Sequence, residues 1–147
     1  MTSKAVILAA GLGTRMRRGD VQAQLTDQQN AAANEGLKAL FPIDRPFLDY
    51  SLSGIADAGY GSVCLVIGPN QDPVRDYYRN LPCARLAIEF ATQSQPLGTA
   101  NALSAAAKFA GDDPFVVLNG DNYYPTDALR ALHETAGYAT IGFEPQG

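Results

Sequence analysis

The stretch Ala5-Val-Ile-Leu-Ala-Ala-Gly-Leu-Gly-Thr-Arg-Met-Arg-Arg18 decides the fold of this chain. It begins as a continuous apolar run, Ala5 to Ala10, bounded by glycine, which reads as a strand buried on both faces. The run breaks at Gly11 and Gly13, where the backbone is free to take φ > 0 and to approach a ligand closely. Thr14 follows, then Arg15, Arg17 and Arg18. A buried strand opening into a glycine turn and then cations suits a phosphate group. Backbone N–H groups converge on the anion, and a guanidinium adds a forked, permanent charge. Two neighbouring fingerprints fit less well. A dinucleotide loop wants a third glycine where Met16 stands, and a Walker A loop wants Gly-Lys-Ser/Thr.

Outward from this stretch, buried strands alternate with helices. Ser62 to Gly68, Leu86 to Thr92, Pro114 to Asn119 and Tyr138 to Phe143 read as strands two to five. Helical spacing covers Pro46 to Gly59, Asp72 to Leu81, Gly98 to Ala110 and Thr126 to Thr135. Gly19 to Gly36 has little to bury beyond Val21 and Leu25, so a poorly docked lid is expected there. Within it, Thr26-Asp-Gln-Gln29 fits a capping box starting a short helix over Asp27–Asn34. The alternation predicts an α/β fold, Rossmann-like and three-layered, with a mainly parallel sheet.

The bounds are simple. At 147 residues the chain is one domain, 1–147, with room for a real core. A net charge of −4 argues against nucleic-acid binding, and no apolar run reaches membrane-spanning length. Met1 to Lys4 leave no room for a signal peptide before the first strand. Cys64 and Cys83 make no disulfide framework, and Cys64 reads as a small buried apolar side chain. These features predict a cytoplasmic protein with neither nucleic acid nor membrane as partner; a homo-oligomer is compatible with them.

Ligands on open α/β sheets bind at the carboxyl ends of the strands, where strand order reverses. Three unusual segments directly follow strands: Gly11 to Arg15, Gln93 to Thr99, and Asp121. All three are expected at one sheet edge. Gln93 offers an amide donor and acceptor suited to the edge of a base, and Gly98 permits close approach at a helix start. Asp121, ending an apolar strand, suits a divalent cation or a cap of the next segment. Lys38 sits in an apolar segment and by itself reads as a surface lysine. His133, with no partner motif, reads as structural, and Tyr123 and Tyr124 as packing residues.

The string Leu8-Ala9-Ala10-Gly11-Leu12-Gly13-Thr14-Arg15-Met16, followed by Gln93-x-x-Pro96-x-Gly98 and Asp121, resembles the sugar-1-phosphate nucleotidylyltransferases. The resemblance spans nearly the whole chain, in the family's motif order. It implies the nucleotide-diphospho-sugar transferase type of fold. It further implies that a nucleoside triphosphate, dTTP or UTP, and a sugar 1-phosphate are joined with release of pyrophosphate. By resemblance, Leu8, Ala9, Ala10, Gly11, Gly13 and Thr14 bind the nucleotide together with Gln93, Pro96, Gly98 and Thr99. Arg15 and Lys38 would be catalytic, neutralising phosphate charge, and Asp121 would hold Mg²⁺. Lys38 departs from the family pattern: Leu37 precedes it instead of proline, and the loop before it is longer. The family's second metal carboxylate and sugar-binding half have no counterpart in these residues, so the chain as given is expected to be catalytically incomplete. Alternatives are a nucleotide-binding regulatory module without turnover and a cytidylyltransferase acting on a phospho-alcohol. A dinucleotide-dependent oxidoreductase domain is disfavoured by Met16.

Overall fold

The strand read from Ala5 becomes β1, Lys4–Leu8, and lies between two neighbours in a four-stranded sheet. The computed structural model describes residues 2–11, 26–35 and 38–142, without the side chains of residues 32–35 and 38. β2 (Ser62–Ile67) and β4 (Phe115–Asn119) flank β1, and β3 (Ala87–Thr92) lies outside β2, giving the order β3-β2-β1-β4. Every pairing is parallel. The chain therefore runs outward from β1 to β3, then returns to the other side of β1, which makes β1 and β4 the switch point.

Both faces of β1 and β2 are covered, so Ala5 to Leu8 and Val63 to Ile67 are continuously apolar instead of alternating. Ala5, Ile7, Val63, Leu65 and Ile67 pack with α2 (Phe47–Asp57), α3 (Asp72–Asn80) and α6 (Thr126–Glu134) through Leu48, Leu52, Ile55, Val74, Tyr78 and Leu129. Val6, Cys64 and Val66 pack on the opposite face against Ala102 and Ala106. Ala102 belongs to α4 (Thr99–Ala105), and Ala106 is the junction between α4 and α5 (Ala107–Ala110). The small alanine side chains let that layer sit close to the sheet. Lys4 joins the start of β1 to the end of α5: its Nζ donates to the carbonyls of Phe109 (2.9 Å) and Ala110 (3.1 Å) and pairs with Asp113 at 2.7 Å.

α1 (Asp27–Glu35) matches the expected short helix, and its capping box is formed. Thr26 N donates to Gln29 Oε1 (3.0 Å), and Gln29 N donates to Thr26 Oγ1 (3.3 Å). Gln29 Nε2 also donates to the Pro42 carbonyl at 3.0 Å, a polar tether for a helix with almost no apolar face. The remainder of the expected lid, residues 19–25 and 36, lies outside the described residues.

Two expectations are corrected. The helix expected over Gly98 to Ala110 is divided at Ala106, whose N–H donates to the Leu103 carbonyl (3.0 Å), a tight turn between α4 and α5. The fifth strand expected at Tyr138 to Phe143 is absent over Tyr138–Gly142, and Phe143 lies outside the described residues. The segment has strand propensity, yet Tyr138 is fully exposed, and among the described residues the segment does not pair with β4, the strand beside it. Propensity without a partner and without burial does not make a strand.

Candidate functional site

At the carboxyl ends of β1 and β4 the sheet opens into a cleft of about 410 Å³. Its floor is Leu8, Ala9, Ala10 and Gly11, leaving β1; one wall is Gln93, Pro96, Gly98, Thr99 and Ala102; the other is Asn119, Gly120 and Asp121. Ala39 closes one side. The structure thus brings together Leu8, Ala9, Ala10, Gly11, Gln93, Pro96, Gly98, Thr99 and Asp121, drawn from three separate strand ends. Gly13, Thr14 and Arg15 lie outside the described residues. Lys38 opens a 3-10 turn, Lys38–Leu40, next to cleft-lining Ala39, but its side chain lies outside the description. Among the described lining residues Asp121 carries the one charged side chain.

The glycines contribute in different ways. Gly11 does not adopt a positive φ, and a Cβ there would meet nothing within 4 Å among the described residues. The freedom to take a positive φ is thus not used at Gly11. Gly98 has φ 94° and ψ −176°, a region open essentially to glycine alone. This backbone turns the loop after β3 directly into α4. Gly120 is buried, and its N–H donates to the Leu8 carbonyl at 2.9 Å.

Gln93 is 8% exposed and held at both ends of the residue. Its backbone N–H donates to the Ile67 carbonyl (2.8 Å), extending the pairing of β2 and β3 by one step. Its amide Nε2 donates to the Gly98 carbonyl (3.1 Å) and to Asn101 Oδ1 (3.0 Å). The loop carrying Pro96 and Gly98 is therefore closed by a side chain from its own first residue.

The loop carrying Asp121 is buttressed by Tyr124. The Tyr124 hydroxyl accepts from Asn119 N (3.1 Å) and from Asn122 Nδ2 (3.4 Å), while its ring packs against the main core. Tyr124 is thus a packing residue with a polar task, and Tyr123 is exposed. His133 is structural, its ring lying edge-on to Tyr60 at 5.2 Å. Asn101 and the hydroxyl of Tyr124 were not legible in the sequence, since neither lies in a motif and each acts through a contact that folding creates.

A parallel sheet with helices on both faces and a cleft at its switch point defines the doubly wound class of α/β architecture, which binds its ligands at that point. The nucleotidyl transferase family model matches residues 4–145, and the chain belongs to that family. Curated relatives include a glucose-1-phosphate thymidylyltransferase of Streptomyces antibioticus, 36% identical over 82% of this chain and 30% of the relative. A UTP–glucose-1-phosphate uridylyltransferase of Bacillus subtilis is 32% identical over 98% of this chain and 52% of the relative. A D-glycero-alpha-D-manno-heptose 1-phosphate guanylyltransferase of Campylobacter jejuni is 24% identical over 97% and 64%, respectively. The chain therefore spans about a third to two thirds of the length of the curated relatives it matches. The fold is similar to that of a crystal structure of UDP-glucose pyrophosphorylase complexed with UDP-glucose. That likeness has a TM-score of 0.69 at 21% identity, covering 90% of this chain and 52% of the other.

Proposed function

We propose that this chain binds a nucleoside triphosphate in the β1–β4 cleft and carries the nucleotide half of a sugar-1-phosphate nucleotidylyltransferase, with UTP or dTTP as donor. In the reaction an oxygen of the sugar 1-phosphate attacks the α-phosphorus of the triphosphate. The new O–P bond forms as the bond from the α-phosphorus to the bridging oxygen breaks, and the electron pair leaves with pyrophosphate. Such a transfer needs alignment and charge neutralisation more than a covalent nucleophile.

The chain's own residues divide that work. By the resemblance, Gly11, Gly13 and Thr14 would bind the triphosphate together with Leu8, Ala9 and Ala10. Arg15 and Lys38 stabilise the charge of the leaving pyrophosphate. Gln93, Pro96, Gly98 and Thr99 hold the base. Asp121 fits a magnesium site of the shared kind: it is an exposed carboxylate on the cleft wall, and Mg²⁺ is usually held by one or two carboxylates plus substrate phosphates. Asp121 would hold the ion together with oxygens of the bound phosphates; among the described residues no group of three or more His, Cys, Asp or Glu is placed to hold a metal ion. The ion, when bound, neutralises phosphate charge and orients the reacting groups. Cytoplasmic residence is in keeping with two free cysteines.

The observation that carries this reading is the meeting of Gly11, Gln93 with Gly98, and Asp121 on one cleft. A thermal-shift panel of nucleoside triphosphates with and without Mg²⁺ tests it, because a ligand of the native state raises the unfolding temperature by mass action. UTP or dTTP with Mg²⁺ is expected to give the largest shift. No shift with any triphosphate would refute the nucleotide cleft. In a catalytically active form, Arg15→Ala is expected to lower turnover by roughly 10²–10³-fold, the scale for one preorganised donor.

A further inference from the structure

Asn101 stands behind Gln93 in the first turn of α4 and is not among the residues lining the cleft. Its Oδ1 and the Gly98 carbonyl both take hydrogen bonds from Gln93 Nε2 (3.0 and 3.1 Å). A carbonyl only accepts, so the amide atom facing Gly98 must be nitrogen. The same nitrogen faces Asn101, which therefore presents oxygen. Both amide protons of Gln93 are committed to the protein, and Oε1 has no hydrogen-bond partner among the described residues. Gln93 lines the cleft, so what its side chain has left to offer a ligand is an acceptor, and its donor half is withdrawn.

We infer that Asn101 is a positioning residue that fixes this polarity, so that the cleft selects bases with an N–H at the centre of their Watson–Crick edge. The inference rests on the nucleotide reading of the cleft. Uracil and thymine offer N3–H, and guanine offers N1–H. Cytosine N3 and adenine N1 carry a lone pair there, which would face the Oε1 lone pairs. A free glutamine could rotate its amide to satisfy either kind of base; one held by two acceptors cannot without breaking both bonds. Selection then comes from the unpaired polar atom that the wrong base leaves in a dehydrated contact.

UTP and CTP test this best, being matched in size and charge. Their affinities for the 147-residue chain are measured calorimetrically with Mg²⁺, with dTTP, GTP and ATP as further arms. UTP is expected to bind about tenfold or more tighter than CTP, and whichever of dTTP and GTP fits the cleft should exceed ATP. Asn101→Leu, apolar and of similar size, frees one amide proton and should bring the UTP/CTP ratio to within about threefold. Asn101→Asp keeps an oxygen acceptor at the same place and should retain the wild-type ratio, whatever its effect on absolute affinity. A purely structural role would alter both affinities together and leave the ratio unmoved. If Asn101→Leu does not fold, Asn101→Ala makes the same cut with less strain, and the wild-type ratio is decisive on its own. Equal binding of UTP and CTP by the wild type, or an unchanged ratio in the apolar variants, overturns the inference and leaves the nucleotide cleft standing. Absence of binding by every triphosphate overturns both.

Discussion

The amide of Gly120 donates to the carbonyl of Leu8 at 2.9 Å, one step beyond the last paired residues of β1 and β4. This bond carries the two strands' pairing into their loops. It holds Asp121 beside the glycine stretch, across the mouth of the cleft. A Cβ added at Gly120 would lie 3.0 Å from the Leu8 oxygen and 3.3 Å from Ala9 Cα. Those are backbone atoms of the central strand's end, with no flexible side chain to yield.

Gly120→Ala is therefore expected to separate the two strand ends and destabilise the chain by about 1–3 kcal/mol, the usual range for overpacking. Asp121 would move with the loop, so Mg²⁺-dependent nucleotide binding should weaken as well. Urea unfolding and the nucleotide thermal shift measure the two effects. Wild-type stability together with wild-type binding would mean that the loop absorbs a methyl group without moving Asp121.

Gly98→Ala tests the opposite wall. The position has φ 94° and ψ −176°, and a Cβ there would meet no atom of the described residues within 4 Å. Any cost is thus backbone strain and not crowding, about 1–3 kcal/mol. Relief of that strain would rotate the peptide whose carbonyl holds Gln93 Nε2, so base selectivity should weaken along with stability. An alanine variant of unchanged stability would show that the loop reaches α4 by another backbone route.

What was legible in the sequence follows a physical division. β1 and β2 announced themselves because strands buried on two faces are apolar without interruption. β4 was readable from its apolar run as well, although only Val116 and Leu118 are buried and Phe115 and Val117 stay exposed. The cleft followed from the rule that strand ends share one edge. β3 was legible by its flanking turns, although as an edge strand it leaves Ala87, Glu89 and Thr92 exposed. The break at Ala106 was hidden, since Ala105, Ala106 and Ala107 favour a helix and only packing beneath the sheet decides otherwise. The loss of strand character after Gly137 was hidden too, because pairing depends on a neighbour that local sequence does not name. Within the site, motif residues were readable, whereas Asn101 and the Tyr124 hydroxyl were not.

Alkaline pH should destabilise the fold through buried neutral acids. Burial, and then the charge of Glu89, push the Cys64 thiol from 9.0 up to about 11. Burial pushes the Tyr60 hydroxyl from 10.0 up to about 12. Tyr78 is also raised, by burial first and then by its 2.8 Å hydrogen bond to Asp49. Above the unfolded values the unfolded chain has lost protons that the folded chain still holds, so stability falls as pH rises. These contributions are whole below pH 9. They decline between about pH 9 and 11 for Cys64 and between about pH 10 and 12 for Tyr60. The urea midpoint should be lower at pH 10.5 than at pH 8; a flat midpoint through pH 11 would contradict the assignment.

The last prediction concerns the outer edge of β4. Within the described sheet β4 pairs with β1 alone, leaving its other edge without a strand. Val116 and Leu118 point into the main core, while Phe115 and Val117, on the opposite face, remain 37% and 40% exposed. Residues Thr135 to Ile141 run beside this edge as non-helical chain, enclosing an open groove of about 800 Å³ with Phe115 to Asn119. An apolar face beside an unpaired parallel edge is a place for additional sheet, and the curated relatives are longer than this chain. We therefore expect the sugar pocket and a second metal carboxylate to come from further residues packed on this edge. Without them the attacking phosphate is not held in line, and a proximity contribution of several kcal/mol is missing. The 147-residue chain should accordingly bind nucleotide yet release almost no pyrophosphate when given UTP or dTTP, glucose 1-phosphate and Mg²⁺. A version extended by its natural continuation, where one exists, should turn over and should bind less of an apolar dye. Robust pyrophosphate release by the 147-residue chain as a monomer would overturn this prediction and bring the sugar site within the residues described.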